Sequence, residues 1–158
     1  MPTGKGDYRN LTNSSGTHDR DPAWSPDSAR IAYTQDPGND EPTQIHVIKR
    51  DGTGHLHVAD GDYPAWTADG QWVSYTVYGP PDADPNEDAT WKVPVGGGEP
   101  EYVVDGVSAK WSPDGTRIAF ERDWPPDVYV RDLATGDEVN VTPDTPDTWD
   151  FLADWSPD

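Results

Sequence analysis

The sequence predicts an all-β fold built from a repeated unit of four short strands, and three observations support it. Tryptophan recurs as Trp24, Trp66, Trp111 and Trp155, at spacings of 42, 45 and 44 residues. A fixed period in this range is typical of repeat architectures. Short stretches that alternate apolar and polar residues lie between turn motifs, which is the pattern of strands with one buried face. No stretch shows the apolar period of a helix.

Length and charge narrow the class of protein. The chain has 158 residues, which is typical of one domain, and carries a formal net charge of −19. Such an acidic surface repels phosphate backbones, so we do not expect nucleic acid as a partner. The charge either keeps the protein soluble or attracts cations and basic partners. The sequence has no cysteine, and it has no run of 18 apolar residues that would predict a membrane span.

Each repeat is predicted to contain its four strands in the same order. The predicted strands are 22–25, 30–34, 44–49 and 55–58 in the first repeat, 63–67, 71–77, 90–95 and 101–104 in the second, and 107–112, 117–121, 127–132 and 138–142 in the third. Single strands are predicted over 8–12 and 150–156, as the last and the first strand of an incomplete unit. Residues 1–158 are then one domain, with repeats at about 20–58, 63–104 and 107–142.

The motif at each periodic tryptophan resembles a known repeat. Tryptophan is followed by Ser-Pro-Asp-Gly or a variant of it, and then by a basic residue and Ile-Ala-Tyr or Ile-Ala-Phe. The motif occupies Trp24–Tyr33, Trp66–Tyr75 and Trp111–Phe120, and it is similar to the TolB-like β-propeller repeat, a relative of the WD repeat. The resemblance implies a partial propeller of three blades plus two terminal strands, with the periodic tryptophans packed between blades.

The same resemblance implies a function. TolB-like propellers bind proteins or peptides without catalysis, so we expect a non-enzymatic binding module in the periplasm or outside the cell, although residues 1–6 lack the features of a signal peptide. Two alternatives stay open: the non-catalytic propeller of a larger hydrolase or lyase, and a calcium-dependent structural or surface-assembly protein. No Gly-x-Ser-x-Gly motif supports a serine nucleophile.

Three repeats are too few to form a complete propeller ring. TolB-like propellers close with six or so blades, and three blades cannot close a ring alone. Either two copies complete a six-bladed homodimeric ring, or the chain is part of a longer protein, or an open arc docks on another protein. The stop after Trp155-Ser156-Pro157-Asp158, within a turn motif, favours a fragment, whereas the initial Met1 favours a deliberate start.

Binding residues are expected on one face of the blades. Loops that join the second strand to the third, and loops that enter the next blade, meet at the same end of each sheet. Binding residues often lie on such loops. Trp124 and Trp149 fall outside the tryptophan period and lie in these loops, so they are candidates for contact with a partner. The candidate binding residues are His18, Asp19, Trp124, Trp149 and Asp150.

One acidic loop has oxygen ligands at alternate positions, as calcium loops do. The speculative calcium ligands are Asp82, Asp84, Asn86 and Asp88. The loop lacks the glycine that an EF-hand has at its sixth position, and Val93 stands where the EF-hand has glutamate. A solvated acidic insertion is the alternative.

A second weak metal pattern is the pair His55 and His57. Their spacing of two residues on a strand turns both side chains to the same side of the sheet. His-x-His can bind zinc, but the sequence shows no third ligand. We therefore expect an ordinary surface or edge-strand role.

Overall fold

The structure, a computed structural model, describes residues 9–79, 87–143, 149–152 and 154–157. The described residues form three antiparallel sheets of four consecutive strands each, and they contain no α-helix. We call the sheets blades 1, 2 and 3. The predicted all-β fold of three four-stranded blades is confirmed, and the sheets do not close into a ring.

The three blades contain twelve strands among the described residues. Blade 1 contains β1 (His18–Trp24), β2 (Arg30–Asp36), β3 (Gln44–Lys49) and β4 (Leu56–Asp60). Blade 2 contains β5 (Asp62–Trp66), β6 (Trp72–Val77), β7 (Ala89–Pro94) and β8 (Glu101–Asp105). Blade 3 contains β9 (Val107–Trp111), β10 (Arg117–Arg122), β11 (Asp127–Asp132) and β12 (Glu138–Asn140).

Each repeated Ser/Thr-x-Asp motif closes the turn between the first and second strands of its blade. In blade 1, Ser25 Oγ donates to Asp27 Oδ1 at 2.5 Å and accepts from the backbone N–H of Arg30 at 2.9 Å. Asp27 Oδ1 also accepts from the N–H of Ala29 at 3.0 Å. Blades 2 and 3 repeat these bonds through the pairs Thr67–Asp69 and Ser112–Asp114. The motif therefore stabilises the turn, because its side-chain oxygens accept hydrogen bonds from backbone N–H groups.

The hydrophobic core lies mainly between blades. Trp66, at the end of β5, is 7% exposed and packs with Ala32, Ile45 and Val47 of blade 1. Its indole N–H donates to the backbone carbonyl of Ala23 at 2.9 Å, and the Arg30 guanidinium lies 5.2 Å from its ring centre. Blade 2 thus presents its tryptophan to blade 1, where burial of a large aromatic ring stabilises the pair.

Trp24 departs from the predicted role of the periodic tryptophans. It is 56% exposed, whereas Trp66 is buried and Trp111 is half-buried. The expectation that all four pack between blades is wrong for Trp24, because no blade precedes blade 1 among the described residues. Trp155 does contact the preceding blade, since its indole N–H donates to the carbonyl of Lys110 in blade 3 at 2.9 Å.

The described residues of the two predicted terminal strands lie outside the three sheets. Residues 9–12 and the described part of 150–156 have no strand assignment; residues 8 and 153 lie outside the described residues. A strand needs a hydrogen-bonded neighbour, and the three sheets contain no strand that pairs with either segment. In the part of the chain that the structure describes, no helix could span a membrane.

Candidate binding pocket on the loop face

The loops at one end of the blades surround a pocket between blades 2 and 3. It has a volume of about 170 Å³. Its lining comes from both ends of the loop between β6 and β7, the entry to β9, the end of β10 with the loop after it, and the segment after blade 3. The lining residues are Tyr78, Asp88, Gly106, Val107, Glu121, Arg122, Asp123, Trp124, Pro126, Trp149 and Phe151. A wider concave space of about 960 Å³ runs along the first strands of the three blades. Trp124 and Trp149, two of the candidate residues, thus share one pocket.

Three aromatic side chains form the outer wall of the pocket. The rings of Trp124 and Trp149 meet edge to face, with centres 4.3 Å apart and planes at 74°. The ring centre of Phe151 lies 6.2 Å from that of Trp149. These side chains are 68%, 50% and 66% exposed, respectively. Clustered, solvent-exposed aromatic rings are unusual on a protein surface and typical of interaction sites.

The segment that carries Trp149 and Phe151 is attached to blade 3 at three points. The N–H of Asp150 donates to the carbonyl of Pro126 at 3.0 Å, and the N–H of Leu152 donates to Glu121 Oε1 at 2.7 Å. The indole of Trp155 makes the third bond, to Lys110. These bonds place the aromatic wall although the segment is not part of a sheet.

Glu121 is the buried acid behind this wall. Its side chain is 8% exposed at the end of β10. Burial raises the pKa of its carboxyl group, while hydrogen bonds from the Leu152 N–H and the Ser108 side chain, and the positive charge of Lys110, act in the opposite direction. A carboxylate whose burial is only partly offset in this way favours a nearby positive charge.

The other charged groups of the lining are mostly acidic. Asp88 Oδ1 accepts from the N–H of Gly79 at 2.9 Å, and Asp123 accepts from the Tyr129 hydroxyl. The guanidinium of Arg122 is bonded to Glu138 at 2.9 Å and lies 4.3 Å from the ring centre of Tyr129. The positive charge of Arg122 is thus compensated outside the pocket.

His18 and Asp19 lie elsewhere on the same loop face. They begin β1 on blade 1, paired with Asp36 and Gln35, instead of lying in a loop. Asp19 accepts hydrogen bonds from the Ser14 hydroxyl and from Gln35 Nε2, the latter at 2.9 Å. The candidate residues therefore fall into two groups, His18 and Asp19 on blade 1 and Trp124, Trp149 and Asp150 at blade 3.

Only one of the four speculative calcium ligands is among the described residues. Asp82, Asp84 and Asn86 lie outside the described residues, and Asp88 is at the rim of the pocket. Among the described ranges, no group of three or more His, Cys, Asp or Glu side chains is arranged to hold a metal ion. The calcium site stays a prediction.

A histidine cluster on blade 1 was not predicted. His46 on β3 pairs with His57 on β4, and its ring lies 4.7 Å from that of His55 and 5.3 Å from that of His57. Tyr33 stacks on His46 at 5.7 Å and is hydrogen-bonded to His55. Burial and the neighbouring His55 and His57 lower the pKa of His46 to about 4. The sequence indicated that His55 and His57 share a side, but the strand register that adds His46 depends on a bulge at Ile45–His46.

Comparison with known proteins finds similarity in structure alone. No model of a known protein family matches the chain, and no curated protein matches its sequence. TolB from Acinetobacter baumannii superimposes with a TM-score of 0.67 at 20% identity, over 83% of this chain and 34% of that one. The β-propeller domain of the trilobed protease from Pyrococcus furiosus, which has an open velcro topology, gives 0.59 at 10% identity, over 80% and 42%.

An oligogalacturonate lyase from Vibrio parahaemolyticus gives a TM-score of 0.57 at 15% identity, over 79% of this chain and 39% of that one. The chain thus spans between about a third and about two fifths of the length of these three structures. Identities this low show the fold and carry no activity across. The resemblance predicted from the tryptophan motif is confirmed at this level: the chain has the TolB-like β-propeller fold, in the form of three blades.

Proposed function

We propose that the chain is a non-enzymatic propeller module that binds a protein or peptide at the pocket between blades 2 and 3. The observation that carries this proposal is the aromatic wall of Trp124, Trp149 and Phe151, all at least half exposed around one pocket. Exposed tryptophans are frequent anchors of protein interfaces. The hydrogen bonds that hold residues 150, 152 and 155 on blade 3 support a pre-organised surface, which lowers the entropic cost of binding.

Selection from a random peptide library displayed on phage tests this proposal. We expect peptides selected on the wild-type chain to lose at least about tenfold in affinity for Trp124→Ala and for Trp149→Ala, because anchor residues typically contribute more than 1.4 kcal/mol. Trp24→Ala is the matched control, since Trp24 is also exposed but lies outside the pocket lining. Equal binding to all three variants would place the site elsewhere.

A second candidate is the non-catalytic propeller portion of a larger hydrolase or lyase. The structural similarity to a protease propeller domain and to an oligogalacturonate lyase favours it. In that case the pocket would contact another domain of the same protein. A longer reading frame that encodes a hydrolase or lyase domain would support this candidate, and peptide selection on the present chain would then return no ligand at the pocket.

Homodimerisation into a six-bladed ring is a further arrangement to test. In such a ring, Trp24 of a second copy would pack on blade 3 as Trp66 packs on blade 1. Trp155 already fills that position, with its indole bonded to Lys110 and its ring 5.5 Å from the Arg117 guanidinium. The ring therefore requires Trp155 to move. Light scattering on a sizing column tests the arrangement, and a monomer mass would rule it out.

A further inference from the structure

We propose that the pocket between blades 2 and 3 takes a cationic side chain, arginine or lysine, from the partner protein or peptide. This inference rests on the proposed function and specifies the chemistry of the ligand. It combines two features that occur together in the pocket: exposed indole rings and a lining in which acidic groups outnumber basic ones.

The indole rings leave surface for a cation. Trp124 and Trp149 meet edge to face, so the edge of one ring covers only one face of the other. More than half of the Trp124 side chain and half of the Trp149 side chain remain in solvent. A guanidinium or ammonium group within about 6 Å of an indole centre is attracted by the negative face of the ring.

Other tryptophans of this chain already hold cations in this way. Arg30 lies over Trp66 at 5.2 Å, Lys92 over Trp72 at 4.4 Å, and Arg117 over Trp155 at 5.5 Å. Among the described residues, no lysine or arginine takes this position on Trp124 or Trp149. Within this pocket, these two rings therefore offer exposed aromatic surface to which a partner can bring its own cation.

The charges of the lining favour the same ligand. Asp88, Glu121 and Asp123 line the pocket, and Arg122 is the single basic residue among the described residues of its lining. Arg122 is engaged by Glu138 and lies over the rings of Tyr129 and Phe120. Each carboxylate has more acceptor sites than its known hydrogen bonds use. The net charge of −19 on the whole chain adds long-range attraction for a basic partner and repels an acidic one.

Four blocked pentapeptides, Gly-Ser-X-Ser-Gly with X as arginine, lysine, citrulline or leucine, test the inference. Citrulline keeps the shape of arginine without its charge. Titrations followed by the indole N–H signals of Trp124 and Trp149 give the dissociation constants. We expect arginine and lysine peptides to bind at least about fivefold more tightly than citrulline or leucine peptides, with an advantage that shrinks as salt is raised.

Asp123→Asn is the matched variant. Asparagine keeps the shape of the side chain and its ability to accept from Tyr129, and it tolerates the positive φ of 75° at this position. We expect the variant to reduce the arginine advantage and to leave citrulline binding unchanged.

The outcomes separate this inference from the proposed function. Citrulline or leucine peptides that bind as tightly as arginine would overturn the cation preference and leave peptide binding in place. The same conclusion would follow if none of the four bound while library-selected peptides did. If neither set moved the signals of Trp124 and Trp149, both proposals would be overturned.

Discussion

The hydroxyl of Ser74 links Trp111 to the preceding blade. Ser74 Oγ accepts the indole N–H of Trp111 at 2.9 Å and donates to the carbonyl of Ala65 at 3.3 Å. In the equivalent positions of blades 1 and 3 the second strand has alanine, Ala32 and Ala119. There the next tryptophan donates directly to the backbone carbonyl. The serine thus inserts one hydroxyl into a hydrogen bond that is otherwise direct.

A double-mutant cycle measures this link. We expect Ser74→Ala to cost about 1–2 kcal/mol of unfolding free energy in the wild-type chain, because the partly buried indole N–H of Trp111 loses its hydroxyl acceptor and has to shift to reach the carbonyl of Ala65. In the Trp111→Phe background the cost falls by about 1 kcal/mol. Urea denaturation gives all four values. Ser74→Ala combined with Trp66→Phe is the control and is expected to be additive, since the Trp66 indole bonds to Ala23; additivity for Trp111 as well would refute the link.

Gly106 makes the tight connection from β8 to β9. Its φ is +134°, and a Cβ there would lie 2.6 Å from Phe120 Cδ2 and 2.7 Å from the carbonyl oxygen of Glu121. We expect Gly106→Ala to destabilise the fold by about 2–4 kcal/mol, through strain and displacement of a core ring. Gly96→Ala is the control at about 0.5 kcal/mol or less, because nothing lies within 4 Å of its Cβ position. Equal effects in thermal unfolding would contradict the close approach.

Acidification is expected to destabilise blade 1 through His46. The pKa of His46 is lowered from 6.5 to about 4, so the unfolded chain binds a proton more readily than the folded one. The stabilising contribution is therefore complete above pH 6.5 and is lost as the pH falls towards 4, at about 1.4 kcal/mol for each unit of pKa difference. Asp19 is the neighbouring acid that opposes the shift, and His55 and His57 reinforce it.

His46→Phe keeps an aromatic ring beside Tyr33 and removes the titrating group. We expect its melting temperature to fall less than that of the wild type between pH 7 and pH 4.5, by several degrees, since 1 kcal/mol corresponds to about 2–4 °C for a chain of this size. His18→Gln, an exposed position at the start of β1, is the control and should follow the wild type. If His46→Phe has the same pH profile as the wild type, the cluster does not control acid stability.

Much of the fold could be predicted from local patterns. The strands follow from alternation, and the turns from Ser/Thr-x-Asp motifs whose hydrogen bonds close locally, as at Ser25 and Asp27. The tryptophan period predicts contacts between neighbouring blades, because each repeat offers the next tryptophan a similar apolar surface. Trp66 packs on the surface that blade 1 offers. The prediction of burial is wrong at Trp24 for the same physical reason. The motif places a tryptophan at the end of the first strand, but only a preceding blade can bury its ring.

The pocket could be predicted only in part. The sequence predicts Trp124 and Trp149 as contact residues because they fall outside the period and lie in loops, but their mutual contact depends on how the segment after blade 3 attaches to that blade. That attachment includes a hydrogen bond to Glu121, a charged residue that follows the apolar Ile118-Ala119-Phe120 near the end of β10. An acidic residue that directly follows apolar residues within a predicted strand is the sequence signal that could have identified this attachment point. The meeting of His46 with His57 depends on a one-residue bulge, for which the sequence contains no local cue.

The indole N–H spectrum of the ¹⁵N-labelled chain, recorded with and without a library-selected peptide, tests the central claim most directly. The eight tryptophans report on all three blades and on the segment after them. The account predicts that the signals of Trp124 and Trp149 move on binding, while those of Trp66 and Trp111, held between blades, stay in place. Shifts confined to Trp24, with Trp124 and Trp149 unchanged, would contradict it and place the binding site on the open face of blade 1.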